Sequence, residues 1–137
     1  MALGANGNRK LAVVFDPSAR WLEAIADTLS ASGITVVGRT RELTRARELV
    51  EEHEPELLVA DAGESGLDVV RYARSRVPAL RAIALGTLGD AGLITAAFAA
   101  GAAAFVVKTE RFDTFGAALR ELAPEAVVAR ARETTAA

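Results

Sequence analysis

The sequence predicts an α/β fold built on a doubly wound, five-stranded parallel sheet. Two observations predict it. Five short apolar segments alternate strictly with longer amphipathic segments, and three of the apolar segments end in a charged residue. Such alternation is typical of βαβ units. Because βαβ crossovers are right-handed, we expect helices on both faces of the sheet and the strand order 2-1-3-4-5.

The individual elements follow from periodicity and from capping residues. The short apolar segments predict strands at 10–15, 34–38, 56–60, 80–85 and 103–107. The amphipathic segments predict helices at about 18–32, 42–53, 65–76, 90–100 and 111–122. Ser18 is placed to cap the first helix, Trp21 lies on its core-facing side, and Gly33 follows its last turn. Gly101 ends the fourth helix in the same way.

The chain is predicted to contain one domain. Residues 1–9 are rich in Gly and Asn and are expected to be disordered, whereas residues 10–123 form the domain. Residues 124–137 are polar and rich in Ala after Pro124, which indicates a helical extension or a linker.

Composition excludes several functions. The 137 residues include no Cys and a single His, which removes disulfides, thiolate catalysis and Cys-ligated zinc. A net charge of −2 gives no reason to expect direct nucleic-acid binding. The arginines in and before the second helix are interleaved with glutamates, which indicates a solvated helix with i,i+4 ion pairs. No apolar segment approaches the roughly 18 residues that a membrane span requires, so we expect a cytoplasmic protein that does not bind membranes.

Charged residues follow three of the predicted strands. Asp16 follows LAVVF, Asp61 follows ELLVA, and Lys108 follows AAFVV. The carboxyl ends of parallel strands meet at one edge of the sheet, and ligands bind there where the strand order reverses. The sequence therefore predicts that two carboxylates and one ammonium share a pocket.

Two longer stretches carry a resemblance to a known family. The stretch GLDVVRYARSRVPALRAIALGT (66–87) and the stretch AAFAAGAAAFVVKT (96–109) resemble the receiver domains of bacterial response regulators, most of all those of the NarL/FixJ type. With the three charged strand ends, the resemblance covers nearly all of residues 10–122. It implies the flavodoxin-like (βα)5 receiver fold.

The resemblance also implies a role for each matching residue. Asp61 would be the phospho-acceptor, and Mg²⁺ would be held by Asp16, by Asp61 and by the backbone carbonyl of Gly63. Lys108 would pair with the acceptor carboxylate and later with a phosphoryl oxygen. Phe105 matches the aromatic residue that rotates inward on activation.

The sequence departs from the family in three places, two of them at strand ends. The family has two adjacent acids after the first strand, where this chain has Asp16 and Pro17; shifting the alignment by one residue makes Phe15 the departure instead. Fewer anionic ligands should weaken Mg²⁺ binding. At the end of the fourth strand, Gly86 stands where the family has Ser or Thr. Thr87 is a substitute for that hydroxyl only if the loop shifts, because adjacent strand residues face opposite sides.

The third departure is a shortened loop after the acceptor position. The family takes about eight residues from the acceptor to the glycine that matches Gly66, and this chain takes five. The short loop brings Glu64 near the pocket, where it either replaces the missing metal ligand or repels phosphate.

Two function hypotheses follow from the resemblance, and neither describes a metabolic enzyme. In the first, the chain is an atypical receiver of a two-component phosphorelay, tied to transcription regulation and phosphorylated on Asp61 by a histidine kinase or a phosphotransfer protein. Its own chemistry would be limited to autophosphorylation and autodephosphorylation. In the second, it is a pseudo-receiver that acts by protein–protein contact or dimerisation, through helix 4, strand 5 and helix 5. In a third hypothesis, the altered pocket binds another small ligand.

Overall fold

The computed structural model describes residues 10–86 and 91–108 of the chain. The strands are β1 (Leu11–Phe15), β2 (Thr35–Thr40), β3 (Leu57–Asp61), β4 (Arg81–Gly86) and β5 (Ala104–Val107). The helices are α1 (Ala19–Ala31), α2 (Leu43–His53), α3 (Glu64–Arg76) and α4 (Ala91–Ala100). All strand pairs are parallel, and the order is β2-β1-β3-β4-β5. The predicted doubly wound α/β fold is confirmed.

Alternate residues of each strand face opposite sides of the sheet and form two apolar cores. One core lies between the sheet and helices α2, α3 and α4; its strand residues include Val13, Leu58, Ala84 and Phe105. The other lies beneath α1, and its strand residues include Val14, Val59, Ile83 and Val106. Because both faces are covered, the central strands are apolar except at their ends, where Asp61 closes β3 and Arg81 opens β4.

Strand pairing continues further toward the carboxyl edge than the sequence pattern predicted. β2 runs to Thr40, which pairs with Phe15, and β3 includes Asp61, which pairs with Leu85. β4 includes Gly86 for the same reason. The helix predicted at 111–122 and both predicted tails lie outside the described residues.

The predicted helix signals have the expected geometry. The backbone N–H of Trp21 donates to the Ser18 side chain at 3.4 Å, which caps α1. Gly33 and Gly101 follow α1 and α4 with φ of 86° and 112°, a left-handed conformation that glycine adopts without strain. Arg45 pairs with Glu48 at 3.0 Å and with Glu52 at 3.2 Å, so ion pairs on α2 are confirmed, but their spacings are three and seven residues and not the predicted four.

The connection from β3 to α3 is only two residues long, Ala62 and Gly63. It brings the first turn of α3 against the end of β3. A Cβ added to Gly66 would lie 1.5 Å from the backbone oxygen of Asp61, so only glycine permits this approach. Gly66 thereby determines how closely the first turn of α3 approaches the end of β3.

Among the helices of the described residues, none has the length and apolar character needed to cross a membrane.

Candidate functional site

Backbone pairing brings the three charged strand ends together. The N–H of Asp16 donates to the carbonyl of Thr40 at 3.2 Å, and the N–H of Lys108 donates to the carbonyl of Gly86 at 2.7 Å. Asp61 is the last paired residue of β3. This pairing places all three side chains at the carboxyl edge of the sheet, as the sequence predicted.

Asp16 is a fully buried carboxylate. Its Oδ1 accepts the backbone N–H of Ser18 at 2.9 Å, which connects the pocket to the cap of α1. Its Oδ2 lies 2.8 Å from Lys108 Nζ. Among the described residues, no donor is aligned on Oδ2 for a hydrogen bond, so the contact with the ammonium is ionic. Asp16 therefore depends on Lys108 for its counter-charge.

Asp61 lies at the mouth of the same pocket, with 21% of its side chain exposed. Lys108 Nζ donates to Asp61 Oδ1 at 2.7 Å, and the backbone N–H of Gly63 donates to Oδ2 at 3.0 Å. A Cβ on Gly63 would lie 2.9 Å from that oxygen, so the loop closes tightly around the carboxylate.

Lys108 is enclosed by these acids and by an aromatic ring. Its side chain is 11% exposed, and Nζ lies 5.4 Å from the centroid of the Trp21 ring, within cation–π distance. The sequence predicted Trp21 only as a core-facing residue of the first helix. Its place in the first turn, a few residues after Asp16, is the signal that could have assigned it to the pocket as well.

The predicted metal ligands do not fit a divalent cation in this arrangement. The ammonium of Lys108 contacts an oxygen of each carboxylate, and the carbonyl of Gly63 accepts the N–H of Leu67 at 2.9 Å as the first bond of α3. Glu64 is exposed in the first turn of α3. No group of three or more Asp, Glu, His or Cys within the described part of the chain is placed to hold a metal ion.

The space beside Gly86 is filled by two apolar side chains. A Cβ on Gly86 would lie 2.6 Å from Phe105 Cζ and 2.8 Å from Leu93 Cδ2. Phe105 has no exposed surface. Its ring therefore occupies the volume that a side chain at position 86 would need. Thr87 lies outside the described residues.

Comparison with known proteins gives structural matches only. No protein-family model and no curated protein matches the sequence. The chain is similar to the signal receiver domain of the response regulator NarL from Mycobacterium tuberculosis, with 25% identity, a TM-score of 0.73 and coverage of 85% of this chain and 98% of that one. The chain has the fold of a response-regulator receiver domain.

Two further solved structures share this receiver fold. A LuxR-family two-component response regulator from Aurantimonas has a TM-score of 0.76 at 20% identity, over 93% of this chain and 96% of that chain. The isolated receiver domain of RcsB from Salmonella enterica serovar Typhimurium, determined with the phosphomimetic BeF3⁻, has a TM-score of 0.71 at 18% identity, over 86% and 91%. In the receiver domain described above, the pocket of Asp16, Asp61 and Lys108 lies where the strand order reverses between β1 and β3.

Proposed function

We propose that this receiver domain serves a two-component signalling pathway as a protein-binding module whose output does not require phosphorylation of Asp61. It is a binding module and not a metabolic enzyme. The observation that carries this proposal is the contact of Gly86 with Phe105. A phosphoryl group would have to act through this position to change the conformation of the domain.

A phosphorylation switch needs a group that contacts the phosphoryl oxygens in one state and not in the other. Gly86 has no side chain to make such a contact, and the Phe105 ring is already buried against it. A ligand with no differential interaction with two states shifts no equilibrium between them. A phosphoryl group on Asp61 would therefore leave Phe105 where it is.

The surface of α4 supports a binding role. Residues 91–100 contain no charged side chain, and Ala91, Thr95 and Ala99 are exposed on a helix that packs beside β4 and β5. Small uncharged side chains let another surface approach closely. By resemblance to receiver domains, we propose that the partner binds α4 and β5. The partner would be a kinase or phosphotransfer protein of the pathway, or a second copy of the chain, with an output in transcription regulation.

Phosphorylation is tested by incubating the protein with acetyl phosphate and Mg²⁺ and measuring the intact mass. We expect no addition of a phosphoryl group, while a receiver domain that acetyl phosphate is known to phosphorylate serves as the positive control for the reagents. The Asp61→Asn variant should match the unmodified protein in self-association and in binding to purified kinase and phosphotransfer domains. Asp61-dependent mass addition together with altered binding would overturn the proposal.

The binding surface is tested by a matched pair of substitutions. Thr95→Arg places a long charged side chain on the exposed face of α4, and Thr44→Arg makes the same change at an exposed position of α2. We expect only Thr95→Arg to weaken self-association in sedimentation velocity or partner binding in calorimetry. Equal effects of the two substitutions would argue against α4 as the binding surface.

A second candidate function is phospho-acceptance on Asp61, with Mg²⁺ as cofactor. The exposure of Asp61 at the pocket mouth and its contact with Lys108 favour it, since an attacking carboxylate must be reachable and its charge balanced. In this case acetyl phosphate would add one phosphoryl group to the unmodified protein and none to Asp61→Asn, and kinase binding would depend on that modification.

A further inference from the structure

The ammonium of Lys108 occupies the position between the two pocket carboxylates. It lies 2.8 Å from Asp16 Oδ2 and 2.7 Å from Asp61 Oδ1. A divalent cation bridging the same carboxylates would need oxygens at roughly 2.0 to 2.6 Å from the metal. The ammonium and such an ion cannot share that space.

The remaining oxygens of the pocket are engaged by the backbone. Asp16 Oδ1 accepts the N–H of Ser18, and Asp61 Oδ2 accepts the N–H of Gly63. The Gly63 carbonyl accepts the N–H of Leu67, which is the first backbone hydrogen bond of α3. These bonds belong to the cap of α1 and to the start of α3. The two carboxylate oxygens that accept no backbone N–H, Asp16 Oδ2 and Asp61 Oδ1, are the two that the ammonium contacts.

The ammonium is also held from a third side. The Trp21 ring lies over Lys108, and the lysine side chain is almost entirely enclosed. An ammonium that is paired with two carboxylates and packed on an indole face loses several contacts if it leaves. Because Pro17 supplies no carboxylate, a metal would gain little in exchange.

We propose that Lys108 is a resident cation that replaces the divalent metal of this pocket. The ammonium of Lys108 partly balances the charge of the two carboxylates, and Mg²⁺ is excluded as long as this ammonium is present. The inference concerns metal binding only, and it stands or falls separately from the proposed function.

The experiment compares the metal response of the unmodified protein with that of Lys108→Met, which keeps a long apolar stem and removes the charge. MgCl₂ is added to millimolar concentration, with NaCl matched for ionic strength. Two readouts are followed: the melting temperature and the fluorescence of Trp21, the single tryptophan of the sequence. A ligand that binds only the folded state raises the melting temperature, so no measurement of activity is needed.

We expect no saturable response in the unmodified protein or in Lys108→Arg, which retains the charge. Lys108→Met should gain a saturable rise in melting temperature that Asp16→Asn removes. A saturable response of the unmodified protein that Asp61→Asn abolishes would overturn the proposal. It would also be overturned if Lys108→Met folds and still fails to respond. Should Lys108→Met fail to fold, Lys108→Gln takes its place, and the response of the unmodified protein remains decisive.

Different results would contradict the resident cation and the phosphorylation-independent binding function. Mg²⁺ binding by the unmodified protein would refute the resident cation, yet partner binding indifferent to Asp61→Asn would leave the proposed function intact. Conversely, Asp61-dependent signalling without any metal response would refute the proposed function alone.

Discussion

At the scale of single residues, Asp16 is a buried carboxylate whose charge depends on one lysine. Burying a charge is tolerated only when a counter-charge and hydrogen bonds compensate for lost hydration. Asp16 receives one bond from the Ser18 backbone and an ionic contact from Lys108. Removing the lysine therefore harms the fold more than removing Asp61, which water can reach.

We predict that Lys108→Met lowers the free energy of unfolding by about 3 kcal/mol in metal-free buffer, because it leaves Asp16 buried and unpaired. Urea denaturation measures the change. The double variant Lys108→Met with Asp16→Asn should recover more than half of the loss. If the loss is the same with Asp16 and with Asn at position 16, the stability does not arise from this ion pair.

The packing of Phe105 against Gly86 restricts which residues position 86 can hold. We predict that Gly86→Ala costs about 1 to 3 kcal/mol of stability, because the new methyl group overlaps the Phe105 ring. The same substitution should cost less in a Phe105→Leu background, since leucine has no atom at the Cζ position. A thermodynamic cycle of four proteins measures this coupling. Strictly additive effects would show that the ring does not restrict position 86.

At the scale of elements, the end of β3 and the start of α3 depend on each other through Gly66. The two-residue connection brings α3 so close that its first turn contacts the Asp61 backbone. This contact positions the acceptor-like carboxylate and turns the Gly63 carbonyl into the helix. With a longer connection, the position of the Asp61 carboxylate would no longer depend on the hydrogen bond that the Gly63 carbonyl makes in the helix.

We predict that Gly66→Ala destabilises the protein by about 3 kcal/mol, because its Cβ would overlap a backbone oxygen that has no room to move. The sign is opposite to the usual gain of roughly 1 kcal/mol for this change inside a helix. Thermal and urea unfolding report it. Ser65→Ala, at an exposed neighbouring position, is the control and should change stability little.

Helices α2 and α3 are joined on the surface by Tyr72. Its hydroxyl donates to Glu51, which also pairs with Arg76 at 2.6 Å, and the guanidinium of Arg47 lies 5.5 Å from the ring centroid. The hydrogen bond to Glu51 is the main cause that raises the pKa of Tyr72 above its ordinary value of 10.0, and desolvation adds to it. The nearby arginines oppose the shift.

The sign of the pH effect follows from that raised pKa. The folded protein holds the phenol proton more tightly than the unfolded chain, so the stability contribution is complete below the unfolded value and is lost as pH rises through the folded pKa. Tyr72 is the single tyrosine, so tyrosinate absorbance isolates it. We predict that Glu51→Gln lowers the absorbance midpoint, whereas Glu52→Gln, whose residue pairs with Arg45, leaves it nearly unchanged. Equal midpoints in all three proteins would contradict the assignment.

At the scale of the whole molecule, the two cores share one sheet. The core beneath α1 and the core beneath α2, α3 and α4 use alternate residues of the same strands. Neither core can lose its strand residues without disturbing the other. We therefore expect the described domain to unfold as one cooperative unit.

The prediction can be checked with two intrinsic probes on opposite faces. Trp21 packs against the core beneath α1, and Tyr72 packs against the other core. Urea transitions followed by tryptophan fluorescence and by tyrosine absorbance should have the same midpoint. Separate midpoints would mean that the two faces unfold independently.

The sequence by itself determined the fold and the meeting of Asp16, Asp61 and Lys108. Both follow from local information: alternating apolar segments define the βαβ units, and chain topology places the carboxyl ends of parallel strands at one edge. The caps at Ser18, Gly33 and Gly101 are equally local, and the structure confirms them.

Only the tertiary structure decided what those residues contact. The ammonium between two carboxylates, the Trp21 ring over it and the Phe105 ring against Gly86 join residues far apart in the chain, and their distances depend on how helices pack on the sheet. The sequence pattern specifies which edge of the sheet a side chain occupies, because the βαβ topology fixes the direction of each strand. It does not specify which atoms fill the space there, because that depends on close packing of the whole domain.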